Sequence, residues 1–177
     1  MIEEYEALTI RPATGAHAEA MASLYNHYIE QTTATFELEA IAAEEMVIRM
    51  ARVSDLGLPW YVALSSESEL LGYCYATRWR DRAAYDDSVE VTVYVSPAAH
   101  RRGVGRRLYG ELFEALRAMG KHVAIGGITL PNDASVGLHE KMGMHKVAHF
   151  EGVGCKFGRR LDVGYWQLAL GDASHGE

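Results

Sequence analysis

The chain has 177 residues, enough for one domain and too few for two ordinary ones. It is 49% hydrophobic and 23% charged, a globular balance that excludes disorder and low-complexity classes. Seventeen Lys and Arg against 24 Asp and Glu give a net charge of −7, which argues against nucleic acid or an anionic membrane as the partner.

Met1 to Glu6 is an acidic lead-in without the basic and apolar regions of a signal peptide, and no apolar run reaches the roughly 20 residues of a membrane span. A cytoplasmic protein is expected, one domain over residues 1–177 with flexible ends at 1–6 and 171–177. Cys74 and Cys155 form no CxxC pair and no disulfide framework.

In chain order, Leu8 to Arg11 is a strand candidate before Pro12. Ala18, Met21, Ala22, Tyr25, Tyr28 and Ile29 recur at helical spacing, so His17 to Gln31 is predicted as a helix, with Thr14 as its N-cap. Glu44 to Val53 is a second helix. Trp60 to Leu64 and Leu70 to Thr77 form a hairpin around SSESE. Ser88 to Val95 is the clearest strand: Val89, Val91, Val93 and Val95 alternate with Glu90, Thr92 and Tyr94. Arg101 to Met119 is predicted as a helix with Val104, Leu108, Leu112, Ala115 and Met119 on one face. His122 to Ile128 is a strand, Asn132 to Lys141 a helix closed by Gly143, and Val147 to Phe157 and Asp162 to Leu170 the last two strands. The order β-α-α-β-β-β-α-β-α-β-β makes an α/β protein with a mixed sheet.

His100 to Arg107 (HRRGVGRR) follows a strand and opens a helix. Its glycines permit a tight turn, and the helix start offers unpaired N–H groups and a positive dipole end. The alternative is an exposed basic first turn. The P-loop pattern is absent, and Leu108 stands where the third glycine of a dinucleotide fingerprint belongs, so a diphosphate ligand here points to coenzyme A.

Glu90 is either a solvated strand residue or a carboxylate whose desolvation fits it to accept a proton from an incoming amine. Trp79 to Tyr85 places Arg80 and Arg82 among aromatics, suited to a carboxylate or oxyanion, or else forms a surface turn paired with Asp81, Asp86 and Asp87. His139, two turns after Asn132, is a candidate proton relay or a structural histidine. A zinc site is not expected. His145 and His149 lie roughly 13 Å apart along a strand, too far to share one ion.

This chain resembles the GNAT superfamily of N-acetyltransferases in its element order, the strand TVYVSP (Thr92 to Pro97) and the loop RRGVGR. NHYIE (Asn26 to Glu30), Trp79 to Tyr85, LPNDASVGLHEKMG (Leu130 to Gly143), KFG (Lys156 to Gly158) and DVGYWQ (Asp162 to Gln167) narrow the resemblance to the phosphinothricin N-acetyltransferase subfamily. It runs from about Thr9 to Leu170.

The resemblance implies a mostly antiparallel sheet flanked by helices. It also implies acetyl transfer from acetyl-CoA to the α-amino group of a small amino-acid analogue such as phosphinothricin, methionine sulfoximine or methionine sulfone. Under it, Val93, Tyr94 and Val95 contact pantetheine through their backbone. Arg101, Arg102, Gly103, Val104, Gly105 and Arg106 hold pyrophosphate, and Asn132 contacts CoA. Glu90 and His139 are catalytic, acting together through water. Phe36, Arg80, Arg82 and Tyr85 bind the acceptor, no metal takes part, and the chain is a homodimer. Three positions depart from the pattern. His100 replaces a loop Gln or Arg, Arg80 replaces a Lys, and His139 replaces the tyrosine many relatives use as general acid, which leaves Tyr109 as the candidate for that role. Other readings are an acetyltransferase for another amine or a peptide N-terminus, a silent acyl-CoA-binding module, and a nucleic-acid binder.

Overall fold

A computed structural model describes residues 8–171; apart from Gly171, the ends expected to be flexible lie outside them. The elements are β1 (Thr9–Pro12), α1 (Ala18–Gln31), α2 (Ala43–Asp55), β2 (Trp60–Leu64), β3 (Leu70–Arg78), β4 (Ser88–Val95), α3 (Val104–Ala118), β5 (Val123–Leu130), α4 (Asp133–Lys141), β6 (His145–Lys156) and β7 (Arg159–Ala169). Their order is the one expected. The seven strands make one sheet, β1-β2-β3-β4-β5-β7-β6, antiparallel except where β4 meets β5.

Boundaries differ from expectation by one to three residues in most elements: β1 takes in Pro12, β6 starts at His145 and β7 at Arg159. At α1 and α3 the reason is local. The helix predicted from His17 starts at Ala18. A short 3-10 turn, Gly15–His17, precedes it, with the Thr14 N–H donating to His17 Nδ1 at 2.9 Å. The helix predicted from Arg101 starts at Val104, because Arg101 (φ 61°) and Gly103 (φ 78°) take left-handed conformations that no helix continues. Its buried stripe is Val104, Leu108, Leu112 and Leu116, flanked by Tyr109 and Phe113, whereas Met119 falls at the C-cap and is exposed.

Alternation along β4 sorts the two faces. Val89 and Val91 are buried in the core, on the side where α3 packs: the Leu108 side chain lies against Gly72, and the Cys74 thiol donates to the Leu108 carbonyl at 3.4 Å. Glu90, Thr92 and Tyr94 face the α1 side, where Tyr94 packs against Tyr25 (5.1 Å) and Tyr28 (5.0 Å). Helices α1 and α2 touch β3 and α1 also touches β4; α4 packs on β5 from the α3 side.

Candidate active site

Only three residue pairs join β4 to β5: Ser88 with Val123, Val89 with Ala124, and Glu90 with Ile125. Beyond Glu90 the strands diverge, leaving a gap in mid-sheet beside Val91 to Val95. The expected contact residues Val93, Tyr94 and Val95 line one edge of this gap. At its end, the Tyr28 hydroxyl donates to the Val95 carbonyl at 2.5 Å, and His100 Nε2 lies 3.1 Å from both of those oxygens. The residue that departs from the loop pattern thus fastens the loop's entrance to α1.

The loop then turns onto α3. Gly103 is its left-handed N-cap. Gly105 has a different reason: a Cβ there would stand 2.9 Å from Leu138, so its absence lets α3 and α4 approach. Val104 is core, 1% exposed, and contributes only backbone at the helix start. Arg101, Arg102 and Arg106 are exposed around that start, while Arg107 turns away to donate to the Leu8 carbonyl at 3.2 Å. Asn132 caps α4, its Oδ1 accepting from the Ser135 N–H at 3.1 Å. Open first-turn N–H groups beside arginines suit an anionic diphosphate, and a gap between two strands suits an extended chain with amide groups. The residues present fit a coenzyme A derivative.

On the α1 face, Glu90 is half-buried at the vertex of the gap. Burial raises its pKa above the usual carboxylate range, and the positive charge of Arg80 opposes that rise. Arg80 lies over the Trp79 ring at 4.6 Å, Trp79 meets Tyr165 edge-on at 5.6 Å, and Tyr165 meets Phe150 at 5.8 Å. Arg82 and Tyr85 are exposed on the same connection. Asp86 stands 4.0 Å from Arg78, so the paired-turn reading applies to Arg78 and not to Arg80 or Arg82 among the described residues. Phe36, on the α1–α2 loop, presses its ring onto Gly154 of β6, where a Cβ would stand 2.0 Å from the ring.

His139 is placed differently from expectation. A Cβ on Gly126 would meet its ring at 2.7 Å, whereas a Cβ on the next residue, Gly127, would meet Tyr165 at 3.1 Å and Glu90 Oε1 at 3.6 Å. Successive strand residues point to opposite faces, so the sheet separates His139 from Glu90, and the expected cooperation between them does not form. His139 is 3% exposed. Its Nδ1 lies 2.7 Å from the Ser135 carbonyl, which only accepts, so Nδ1 carries the proton and Nε2 accepts from the buried Tyr109 hydroxyl at 3.1 Å. Burial lowers the His139 pKa below 6.5.

Tyr165, Phe150 and Gly127 were not singled out from sequence. Gly127 and Tyr165 reach the site through the β5–β7 register, where they stand opposite each other, and Phe150 through the β6–β7 register, opposite Val163; local patterning reveals neither. Tyr165 belongs to DVGYWQ, so the motif was visible without its role. His149 pairs with Asp162 at 2.7 Å, and among the described residues no group of three metal-ligating side chains forms. No helix among them is long and apolar enough to cross a membrane. A depression of about 680 Å³ lined by Glu19, Asn26, His27 and Glu30 lies between α1 and the start of α2, apart from Glu90 and the arginine loop.

Residues 21–144 match the Acetyltransferase (GNAT) family. The chain is 40% identical over 163 residues to a phosphinothricin N-acetyltransferase of Streptomyces coelicolor, covering 91% of this chain and 95% of that relative. It is 35% identical over 164 residues to an L-methionine sulfoximine/L-methionine sulfone acetyltransferase of Salmonella typhimurium, covering 92% and 95%. Its fold superposes with a TM-score of 0.92 on a GNAT superfamily phosphinothricin acetyltransferase from Sinorhizobium meliloti in complex with acetyl-CoA, 30% identical and covering 97% of this chain and 92% of that one. On the match over residues 21–144 and on relatives aligned along nearly its whole length, the chain belongs to the acetyltransferase (GNAT) family.

Proposed function

We propose that this acetyl-CoA-dependent N-acetyltransferase acts on the α-amino group of a small amino-acid analogue carrying a second anionic or oxyanion-like end, of the phosphinothricin, methionine sulfoximine and methionine sulfone type. Herbicide resistance would follow from action on the first of these. The observation that carries the proposal is the position of Glu90. It is the last β4 residue paired with β5, half-buried, and faces the side that holds Arg80, Trp79 and Tyr165.

Acetyl-CoA supplies a thioester acyl carbon open to attack by an amine. Glu90 accepts the proton of the acceptor's ammonium, directly or through a water, and its raised pKa makes it a better base than an exposed carboxylate. The amine's lone pair forms the N–C bond as the C–S bond breaks; the sulfur leaves with the C–S pair as a thiolate and takes up the second proton, which the new amide nitrogen sheds. Arg80 and Arg82 hold the acceptor's anionic end, with Tyr85 and Phe36 beside it. Backbone of Val93 to Val95 aligns the donor, and Asn132 contacts it. First-turn N–H groups of Gly103 to Arg106, with Arg101 and Arg102, hold its pyrophosphate. Positioning of the two substrates supplies much of the rate. His139, across the sheet, holds Tyr109 beneath the donor side instead of sharing the proton with Glu90. The location is cytoplasmic, and the exposed Val147, Phe150 and Val153 of edge strand β6 support a homodimer.

The test is thiol release from acetyl-CoA with phosphinothricin, methionine sulfoximine and methionine sulfone, each against a control without acceptor. Release with any of them supports the proposal. No release while acetyl-CoA still binds overturns the acceptor class and leaves other amines, peptide N-termini or a silent acyl-CoA module.

A further inference from the structure

Lys156 ends β6 and is 2% exposed, among the few buried charged or polar side chains. Its ammonium donates to the Thr35 carbonyl at 2.8 Å, across 121 residues of sequence. None of the ion pairs among the described residues includes it. Besides that neutral oxygen, the ammonium has the Phe157 ring, 5.1 Å away. A cation enclosed without an ion pair is costly to keep, so what its hold on the Thr35 carbonyl achieves is the question. Burial lowers its pKa from the ordinary lysine value, while the Glu37 carboxylate acts the other way.

The carbonyl it holds belongs to the α1–α2 loop, which crosses from α1 toward β6. Several pegs fix that loop on the helix side. Asn26 of α1 clasps the Ile41 backbone with both ends of its amide, at 2.8 and 2.9 Å. The Tyr25 hydroxyl lies 2.8 Å from Thr35 Oγ1, and Arg49 of α2 grips both Glu37 oxygens, at 2.6 and 3.1 Å. On the β6 side Lys156 holds Thr35, and the next residue, Phe36, sets the end of its ring against Gly154, two positions before Lys156. The segment is thus bolted at both ends, and Phe36 stands at the bolt on the β6 side.

We propose that Lys156 is a positioning residue for acceptor binding: through the Thr35 carbonyl it fixes the Phe36 wall of the acceptor site against β6. This rests on the reading that the Glu90 face receives the acceptor. The contacts that hold Thr35 and Phe36 come from α1, β4 and β6 rather than from the arginine loop at the start of α3 or from α4, so acetyl-CoA affinity separates the role of Lys156 from a general loss of structure.

Two folded variants and two readouts test it. Lys156→Met keeps the stem and removes the donor. Gly154→Ala displaces the Phe36 ring without touching Lys156. In both, the acceptor KM is expected to rise at least about 5-fold, with kcat changed less than about 2-fold and the acetyl-CoA Kd, measured without acceptor, unchanged. Amide hydrogen exchange at residues 34–37 is expected to quicken at least about 10-fold in Lys156→Met, with β4 unchanged. An unchanged acceptor KM, a parallel loss of acetyl-CoA affinity, or unchanged exchange at 34–37 would overturn the proposal. Should Lys156→Met fail to fold, Lys156→Gln, too short to reach Thr35, takes its place. If the wild type acetylates none of the amino-acid analogues, the acceptor reading fails by itself, and the exchange readout still decides whether Lys156 holds the segment.

Discussion

Glu90 and His139 stand on opposite faces of the sheet, with the consecutive glycines 126 and 127 of β5 between them. One glycine leaves room for the imidazole, the other for Tyr165 beside the Glu90 carboxylate. Substitution at Glu90 is therefore expected to change turnover, and substitution at His139 to change stability without moving the pH dependence of turnover.

Glu90→Gln is expected to cut kcat about 10²- to 10⁴-fold at neutral pH while leaving the acetyl-CoA Kd within about 2-fold. It is also expected to raise the melting temperature. The native pKa of Glu90 lies above the unfolded value, so the native state binds the extra proton between the two. Stability falls as pH rises through that window, and at neutral pH the buried charge is a cost that Gln removes. Turnover and melting measured on one preparation check both halves, and a variant with full kcat excludes Glu90 as the base.

Arg80 lowers the Glu90 pKa that burial raises. Arg80→Ala should therefore move the acidic limb of the kcat/KM profile to higher pH. It should also raise the acceptor KM about 10- to 100-fold, in line with about 1.5–3 kcal/mol for a charge-assisted hydrogen bond. A limb that stays in place would separate Arg80 from the carboxylate.

His139 should be read in unfolding curves. As pH falls below 6.5, the unfolded chain takes up a proton that the buried ring resists, so wild-type stability declines until pH has passed the lower native pKa. His139→Phe should abolish that part of the decline. It should also cost about 1–3 kcal/mol at neutral pH, because the Tyr109 hydroxyl loses its partner. Urea unfolding at several pH values measures both, and the acidic limb of kcat/KM should not move.

The glycine pair offers a matched comparison. In Gly126→Ala the new methyl group would stand 2.7 Å from the His139 ring, and about 1–3 kcal/mol of stability should go with the overpacking. In Gly127→Ala it would stand 3.1 Å from Tyr165, on the acceptor side, and the acceptor KM should rise more than stability falls. Steady-state kinetics and urea unfolding on both variants decide whether the sheet divides the two roles.

Much of this architecture could be read from local patterning. The valine row of β4, the Trp60–Leu64 strand and the apolar stripe of α3 announce themselves in consecutive residues. Two kinds of fact did not. The start of α3 slipped by three residues because left-handed Arg101 and Gly103 break a run that composition alone would continue. The grouping of side chains depends on register: Gly127 facing Tyr165, Phe36 on Gly154 and Lys156 at Thr35 join positions 38 to 121 residues apart. His139 matched a motif and sits in the helix expected for it, yet which face of the sheet it occupies follows from packing over Gly126, not from its spacing to Asn132.

Three residues apart on α1, Tyr25 holds Thr35 of the acceptor-side segment and Tyr28 holds the carbonyl at the end of β4, where the donor-side loop departs. Both rings also rest on Tyr94. One turn of helix is therefore a common anchorage for the two halves of the site. A ligand that quiets one half has already ordered the anchorage of the other, and the second ligand meets a stiffer partner. Donor and acceptor are accordingly expected to bind with positive cooperativity. By thermodynamic reciprocity each should tighten the other by the same factor, and Tyr28→Phe should shrink that factor toward one in a titration of either ligand against the other.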